Sequence, residues 1–171
     1  MRRFIARTTM VAMLSAAMTL GSVTEAFAVA PDSITRTGGL HFVGQPDVTV
    51  TATSTSAFLT AMGEVAGAGR TASATLSATV DVTRGCINRG SKDQQPSGLQ
   101  RSFQTTTGSV TFRTRSGRGS FEVSTDPVTV EGFLCPDRMI PVLVSVTFTD
   151  ITLTVTSQTG TTTATFPDIT A

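Results

Sequence analysis

Thr71-Ala-Ser-Ala-Thr-Leu-Ser-Ala-Thr-Val-Asp-Val-Thr83 is the stretch that decides the fold class. Ala72, Ala74, Leu76, Ala78, Val80 and Val82 occupy every second position, and Thr71, Ser73, Thr75, Ser77, Thr79, Asp81 and Thr83 occupy the others. A helix would scatter those apolar residues around its circumference, whereas a strand lines them up on one face. β-Branched threonine suits the solvent side of such a strand. The segment predicts a half-buried β-strand.

The same period extends to both sides. Val48, Val50 and Ala52 begin an alternation that Leu59, Ala61 and Val65 continue with opposite parity. That switch predicts a β-bulge or bend inside Val48–Val65. Ala66-Gly-Ala-Gly-Arg70 reads as a turn, so the flanking runs are expected to form one long hairpin. Its Gly67-x-Gly69 leads into a strand, and a phosphate cradle needs a helix N-terminus at that point. Downstream, Val142, Val144, Val146 and Phe148 share a parity that restarts three residues later at Ile151, Leu153 and Val155. One extra residue near Thr149-Asp150 restores the register, which predicts a second bulge. Ser157–Gly160 should then turn the chain into a last strand over Thr161–Phe166.

Shorter strands are predicted at Leu40–Val43, Ser102–Thr107, Ser109–Arg115, Ser120–Ser124 and Thr129–Phe133, with turns at Ser116–Gly119 and Asp126-Pro127. No stretch after the first 28 residues reads as a helix. The expected fold is all-β, a single antiparallel β-sandwich or closed barrel of about 8–10 strands. It is immunoglobulin-like in general architecture at most.

The first 28 residues read differently. Met1–Arg7 carries Arg2, Arg3 and Arg7, Thr9–Leu20 is apolar, and Ala26-Phe27-Ala28 offers a small-x-small cleavage pattern. Residues 1–28 are therefore expected to be a cleaved signal peptide, 29–38 a flexible N-terminal arm, and 39–171 a single β domain. The mature product is expected to be secreted, and nothing in it approaches the length of a transmembrane segment.

Beyond the signal there are 10 basic and 11 acidic side chains, which excludes a generally basic nucleic-acid-binding protein. One histidine, His41, cannot make a multi-histidine metal site or a triad without named neighbours. No cofactor and no metal site is expected, and the chain does not read as an enzyme. A carboxylate hydrolase would need two acids facing one cleft, and no spacing among the carboxylates identifies such a pair. Asp150, at the predicted bulge, is the least usual of them. The absence of Trp and Tyr disfavours an aromatic platform for sugars, and the remaining Phe residues read as core.

Cys86 and Cys135 are the only cysteines, and in an exported chain they predict a disulfide. Cys86 opens the polar, aperiodic stretch Ile87–Arg101, and Cys135 opens Pro136–Pro141. Tying them together should bring both loops to one end of the domain, with Arg89, Lys92, Asp93, Gln94, Asp137 and Arg138 as candidate contact residues. Arg113, Arg115 and Arg118 around the Gly117–Gly119 turn form a candidate basic tip, with Arg101 as a further member.

The mature chain resembles a group of small secreted bacterial all-β proteins of uncharacterised function. The resemblance rests on Leu40-His-Phe-Val-Gly44, Gly85-Cys-Ile-Asn88, Phe133-Leu-Cys-Pro136 and Val142–Leu153. It implies export, one β domain and one disulfide, and it transfers no activity. The function expected is that of a non-catalytic secreted β domain that binds at the cell surface, to a cell-wall polymer for example, or to another extracellular protein. The alternatives are an inhibitor-like or effector protein presenting residues 87–101 to an extracellular enzyme, a carboxylate-dependent hydrolase, and self-assembly through Thr-rich edges such as Ile151–Thr156.

Overall fold

The alternating stretch begins a strand that runs on to Asn88, because nothing in the sequence interrupts its period before the polar segment. The computed structural model describes residues 28–89 and 95–171. The expected signal up to Phe27, together with Lys92, Asp93 and Gln94, lies outside the described residues. The strands are β1 (Ala28–Val29), β2 (Ser33–Gly38), β3 (His41–Phe42), β4 (Asp47–Ala52), β5 (Ser56–Ala66) and β6 (Thr71–Asn88). They continue as β7 (Ser97–Arg113), β8 (Gly119–Ser124), β9 (Val128–Thr129), β10 (Met139–Ser157), β11 (Gly160–Phe166) and β12 (Ile169–Thr170). No helix occurs among the described residues.

These strands form two antiparallel sheets and not a closed barrel. In the first, β5 is central: Val65 pairs with Phe42 of β3 on one side and Gly119 of β8 on the other, while β4 joins β5 to β1. In the second, the order is β2-β11-β10-β6-β7, with β12 beside β10. One core lies between the sheets. Leu40, Val48, Leu59 and Val65 meet Leu76, Val80, Phe148, Leu153 and Val155 there, all essentially without solvent exposure. The expected disulfide joins Cys86 to Cys135.

Threonine serves both sides of this arrangement. On the outer face, Thr154 pairs with Thr163 at 3.3 Å and Thr156 with Thr161 at 3.4 Å between hydroxyl oxygens, a cross-strand ladder of the kind that stabilises exposed sheet surface. Thr106, Thr125 and Thr162 are buried, and each has a hydrogen-bond partner. The Thr162 hydroxyl donates to the Thr35 carbonyl at 3.1 Å, for example. Burying a hydroxyl without such a partner would be costly.

The bulge expected near Thr149-Asp150 is present, where the β6–β10 register shifts between Thr149 and Thr152 and Asp150 adopts φ 52°. The Ser157–Gly160 hairpin and the Ser116–Gly119 turn are present as well, whereas Asp126-Pro127 is not a turn, because β8 and β9 continue in one direction along β5 with a single extra residue between them. Several expectations are corrected. The parity switch in Val48–Val65 is a turn at residues 53–55 between β4 and β5, because Thr53 caps it by accepting the Ser56 amide at 3.0 Å. The Ala66–Arg70 connection does not close a hairpin, since β5 and β6 belong to different sheets. Residues 33–38 are not an arm outside the domain but pair along β11. The polar segment is shorter than Ile87–Arg101, for β6 continues to Asn88 and β7 starts at Ser97. Ile151–Thr156 is not an edge, because β10 lies between β6 and β11.

The two sheets approach closely at Gly108, where a Cβ would lie 1.8 Å from the backbone carbonyl oxygen of Ser124. No side chain fits, so Gly108→Ala should force β7 away from the β8–β9 junction. We expect a loss of about 2 kcal/mol or more, measured by chemical denaturation against wild type.

Candidate functional site

Two features at opposite ends of β6 stand out. β6 measures about 55 Å if fully extended, at roughly 3.3 Å per residue, so they are well separated. At its Asn88 end, the second sheet is bent by bulges on both neighbours of β6. Between Leu143 and Ser145, β10 carries one extra residue, Val144. Between Arg84 and Cys86, β7 carries an extra residue in the Ser97–Gln100 stretch, where Gly98 adopts φ +63°. Glycine tolerates that conformation without steric cost. Val144 was expected to share the inner face with Val142, Val146 and Phe148, but its bulge turns it out to 40% exposure and leaves Leu143 packed against the core.

Gly85 lies between the two bulges. A Cβ there would fall within 2.9–3.1 Å of Pro96, Leu99 and Val144 side-chain carbons, so three apolar groups converge over this glycine. Leu99 is 58% exposed, and Phe103, further along β7, is 67% exposed. On the inner side, the Arg84 guanidinium donates to the Thr129 carbonyl at 2.9 Å and to the Ser102 hydroxyl at 2.9 Å. The disulfide holds the segment that follows β9 against this end, with a Cα–Cα separation of 5.8 Å, and Leu134 beside it is 91% exposed.

Of the sequence-predicted contact residues, Arg89, Asp137 and Arg138 gather here. The Arg89 amide donates to the Arg138 carbonyl at 3.4 Å, and Arg138 sits at φ 70°. The disulfide thus joins the two segments at one end. What residue types alone did not reveal is the apolar content there: among the described residues Leu99, Leu134 and Val144 at this end and Phe103 further along β7 are four of the six exposed large hydrophobic residues, with Ile34 and Met62 elsewhere. The only available signals were Leu99 inside a polar stretch and Leu134 beside a cysteine.

At the other end lies the arginine tip. Arg113 ends β7, and Arg115 and Arg118 pair across the Ser116-Gly117 turn. Arg118 forms an ion pair with Glu64 at 3.1 Å. Arg101 is not part of the tip. It sits opposite Thr83 far along β7, where it is ion-paired with Asp81 and stacked 5.0 Å from the centre of the Phe103 ring. Arg70, which was not singled out, does belong there, because its carbonyl accepts the Thr114 amide at 3.0 Å.

The remaining candidates stay apart. His41 Nδ1 lies 3.1 Å from the Gly39 carbonyl, and the described residues contain no group of three or more metal-ligating side chains. No carboxylate among the described residues is buried, so the facing buried pair sought for a hydrolase is not found among them. Asp126 is the only carboxylate in a shallow depression lined also by Thr75, Thr107, Gly108 and Ser109. Asp150 turns the bulge. No protein-family model matches the chain, and neither the curated proteins nor the solved structures contain a match.

Two outcomes are expected. Replacing both Cys86 and Cys135 by Ala should lower stability by about 4 kcal/mol, the chain-entropy value for a 49-residue separation, as read from denaturant midpoints. The Arg101 hydrogen bond holds the Asp81 carboxyl below its ordinary value. A depressed folded-state pKa contributes stability that is present above the unfolded value of 3.8 and is lost as pH falls through the folded value. Wild type should therefore be slightly more stable than Asp81→Asn at neutral pH, and the two should converge in strong acid.

Proposed function

We propose that the chain is a secreted, non-catalytic β domain that acts by binding, and that its disulfide-braced end is the contact surface for another extracellular protein. The supporting observation is that exposed Leu99 and Val144 converge over Gly85 at that end, with exposed Leu134 on the segment the disulfide tethers there and exposed Phe103 further along β7. Soluble domains rarely leave apolar side chains grouped in solvent unless a partner covers them. Arg89, Asp137 and Arg138 lie at the same end and supply charged groups beside the apolar ones, as the polar rim of a protein interface does.

Local rigidity favours the same reading. The disulfide, the Arg84 bridge to Thr129 and Ser102, and the two bulges fix the surface before any partner arrives, which reduces the ordering cost of binding. Beside it, among the described residues β7 pairs only with β6, and the hydrogen bonds along its other edge are those of Thr106 and Thr107 with Asp126. Residues 97–105 thus offer open backbone groups next to the apolar side chains, so a partner can add a strand as well as cover Leu99 and Phe103.

The disulfide-intact domain, residues 29–171, should retain a discrete protein from the producer's culture supernatant. With that partner bound, amide exchange should slow over residues 97–105 and 130–138. Leu99→Ser combined with Phe103→Ser and Leu134→Ser should abolish capture and leave thermal unfolding nearly unchanged. Capture by the triple variant at wild-type strength would refute this assignment.

A further inference from the structure

The arginine tip has a separate use. Four exposed guanidinium groups, from Arg70, Arg113, Arg115 and Arg118, come from two connections between the sheets. Those connections are stitched together through the backbone. The Thr114 amide donates to the Arg70 carbonyl at 3.0 Å, and the Ala68 amide donates to the Gly117 carbonyl at 3.1 Å. The Thr114 hydroxyl donates to the Gly69 carbonyl. Arg115 and Arg118 exchange backbone hydrogen bonds across Ser116 and Gly117, whose φ values of 52° and 76° match a tight type I′ turn. The four side chains therefore stand on a braced backbone.

Charge is segregated accordingly. Over residues 29–171 the side chains carry 10 positive and 11 negative charges. The tip holds four positive charges and one negative, Glu64, for +3, which leaves 6 positive and 10 negative elsewhere, for −4. Among the described residues, Arg70, Arg113 and Arg115 have no carboxylate at ion-pair distance. The Arg118–Glu64 pair is solvent-exposed, so a competing anion displaces it at little cost. The next acid along β8, Glu122, lies opposite Met62 on the outer face of the first sheet.

We infer that this tip binds a linear polyanion carrying phosphate groups. A guanidinium presents paired N–H donors that match phosphate oxygens. The four arginines are exposed and spread over two connections and the end of β7, which suits a ligand with repeated charges over a single small anion. A polymer with repeated charges reaches several, and Arg113 and Arg115, two residues apart, are separated by about 7 Å along the backbone. The proposal is independent of the apolar end, since either surface can be lost while the other still binds.

The experiment is a titration of the disulfide-intact protein with inorganic polyphosphate, poly(glycerol phosphate) and polyglutamate, read by calorimetry over a range of salt. Binding to a phosphate polymer should weaken linearly in log–log form, with a slope reflecting about three to four released counterions. Arg113→Gln with Arg115→Gln should lower affinity about tenfold or more and reduce the slope by about two. Arg70→Gln alone should also weaken binding, whereas Arg138→Gln at the far end should not. Thermal unfolding of each variant should match wild type. Preference between the two phosphate polymers would separate a soluble phosphate chain from a wall-type polymer, and either preference supports the site. No binding at low salt, equal affinity for polyglutamate, or an Arg138→Gln effect as large as that of Arg70→Gln would overturn it.

Discussion

The structure depends on the antiparallel pairing of β6 with β10. These are the two longest strands, and they run beside each other from Ala72 opposite Ser157 to Asn88 opposite Met139. Their inner faces supply Leu76, Val80, Val82, Phe148, Leu153 and Val155 to the core, so the second sheet and its packing against the first follow from one register. A slip of one residue would send the apolar set to solvent and bury the threonines. The strict alternation of Thr71–Thr83 makes that slip prohibitive.

A pairing this long cannot remain flat. Twist accumulates along two strands, and bulges are the places where it is relieved. One lies at Asp150, and two flank Gly85 on opposite sides of β6. The Asp150 bulge keeps Phe148 and Ile151 both facing inward, so it preserves the core. The pair at Gly85 has the opposite effect, turning Val144 out and letting Pro96 and Leu99 close over the glycine. The same device thus serves packing in one place and exposes apolar side chains in the other. The disulfide acts where the core has thinned, replacing apolar packing by a covalent link to the segment carrying Leu134.

The two ends of the domain are chemically unlike. One groups apolar side chains around a cystine, and the other groups arginines around a tight turn. Between them lie threonine-rich outer faces whose hydroxyls are engaged in cross-strand pairs such as Thr154–Thr163 and Thr147–Thr170. Such a surface is well solvated and offers little for a partner to grip. Under the two proposed roles, such a body would join a protein partner at one end to a polyanion at the other.

The sequence by itself determined the all-β class, the inner and outer faces of β6 and β10, the bulge at Asp150 and the cystine. Each is written in the residues themselves: period-2 alternation, a parity restart, and two cysteines with no other cysteine to pair with. It also pointed to the ends where chemistry collects, through the cysteine-flanked loops and Arg113, Arg115 and Arg118. Only the tertiary structure decided which strands pair at a distance, because pairing depends on hydrogen bonds between segments whose local patterns are nearly alike. It was this pairing that removed Arg101 from the tip, brought in Arg70, placed residues 33–38 on β11, and set β5 and β6 in different sheets. The apolar end was hidden for the same reason: Leu99 and Val144 are far apart in the chain and meet over Gly85 only through two bulges, and Leu134 reaches the same end only through the disulfide.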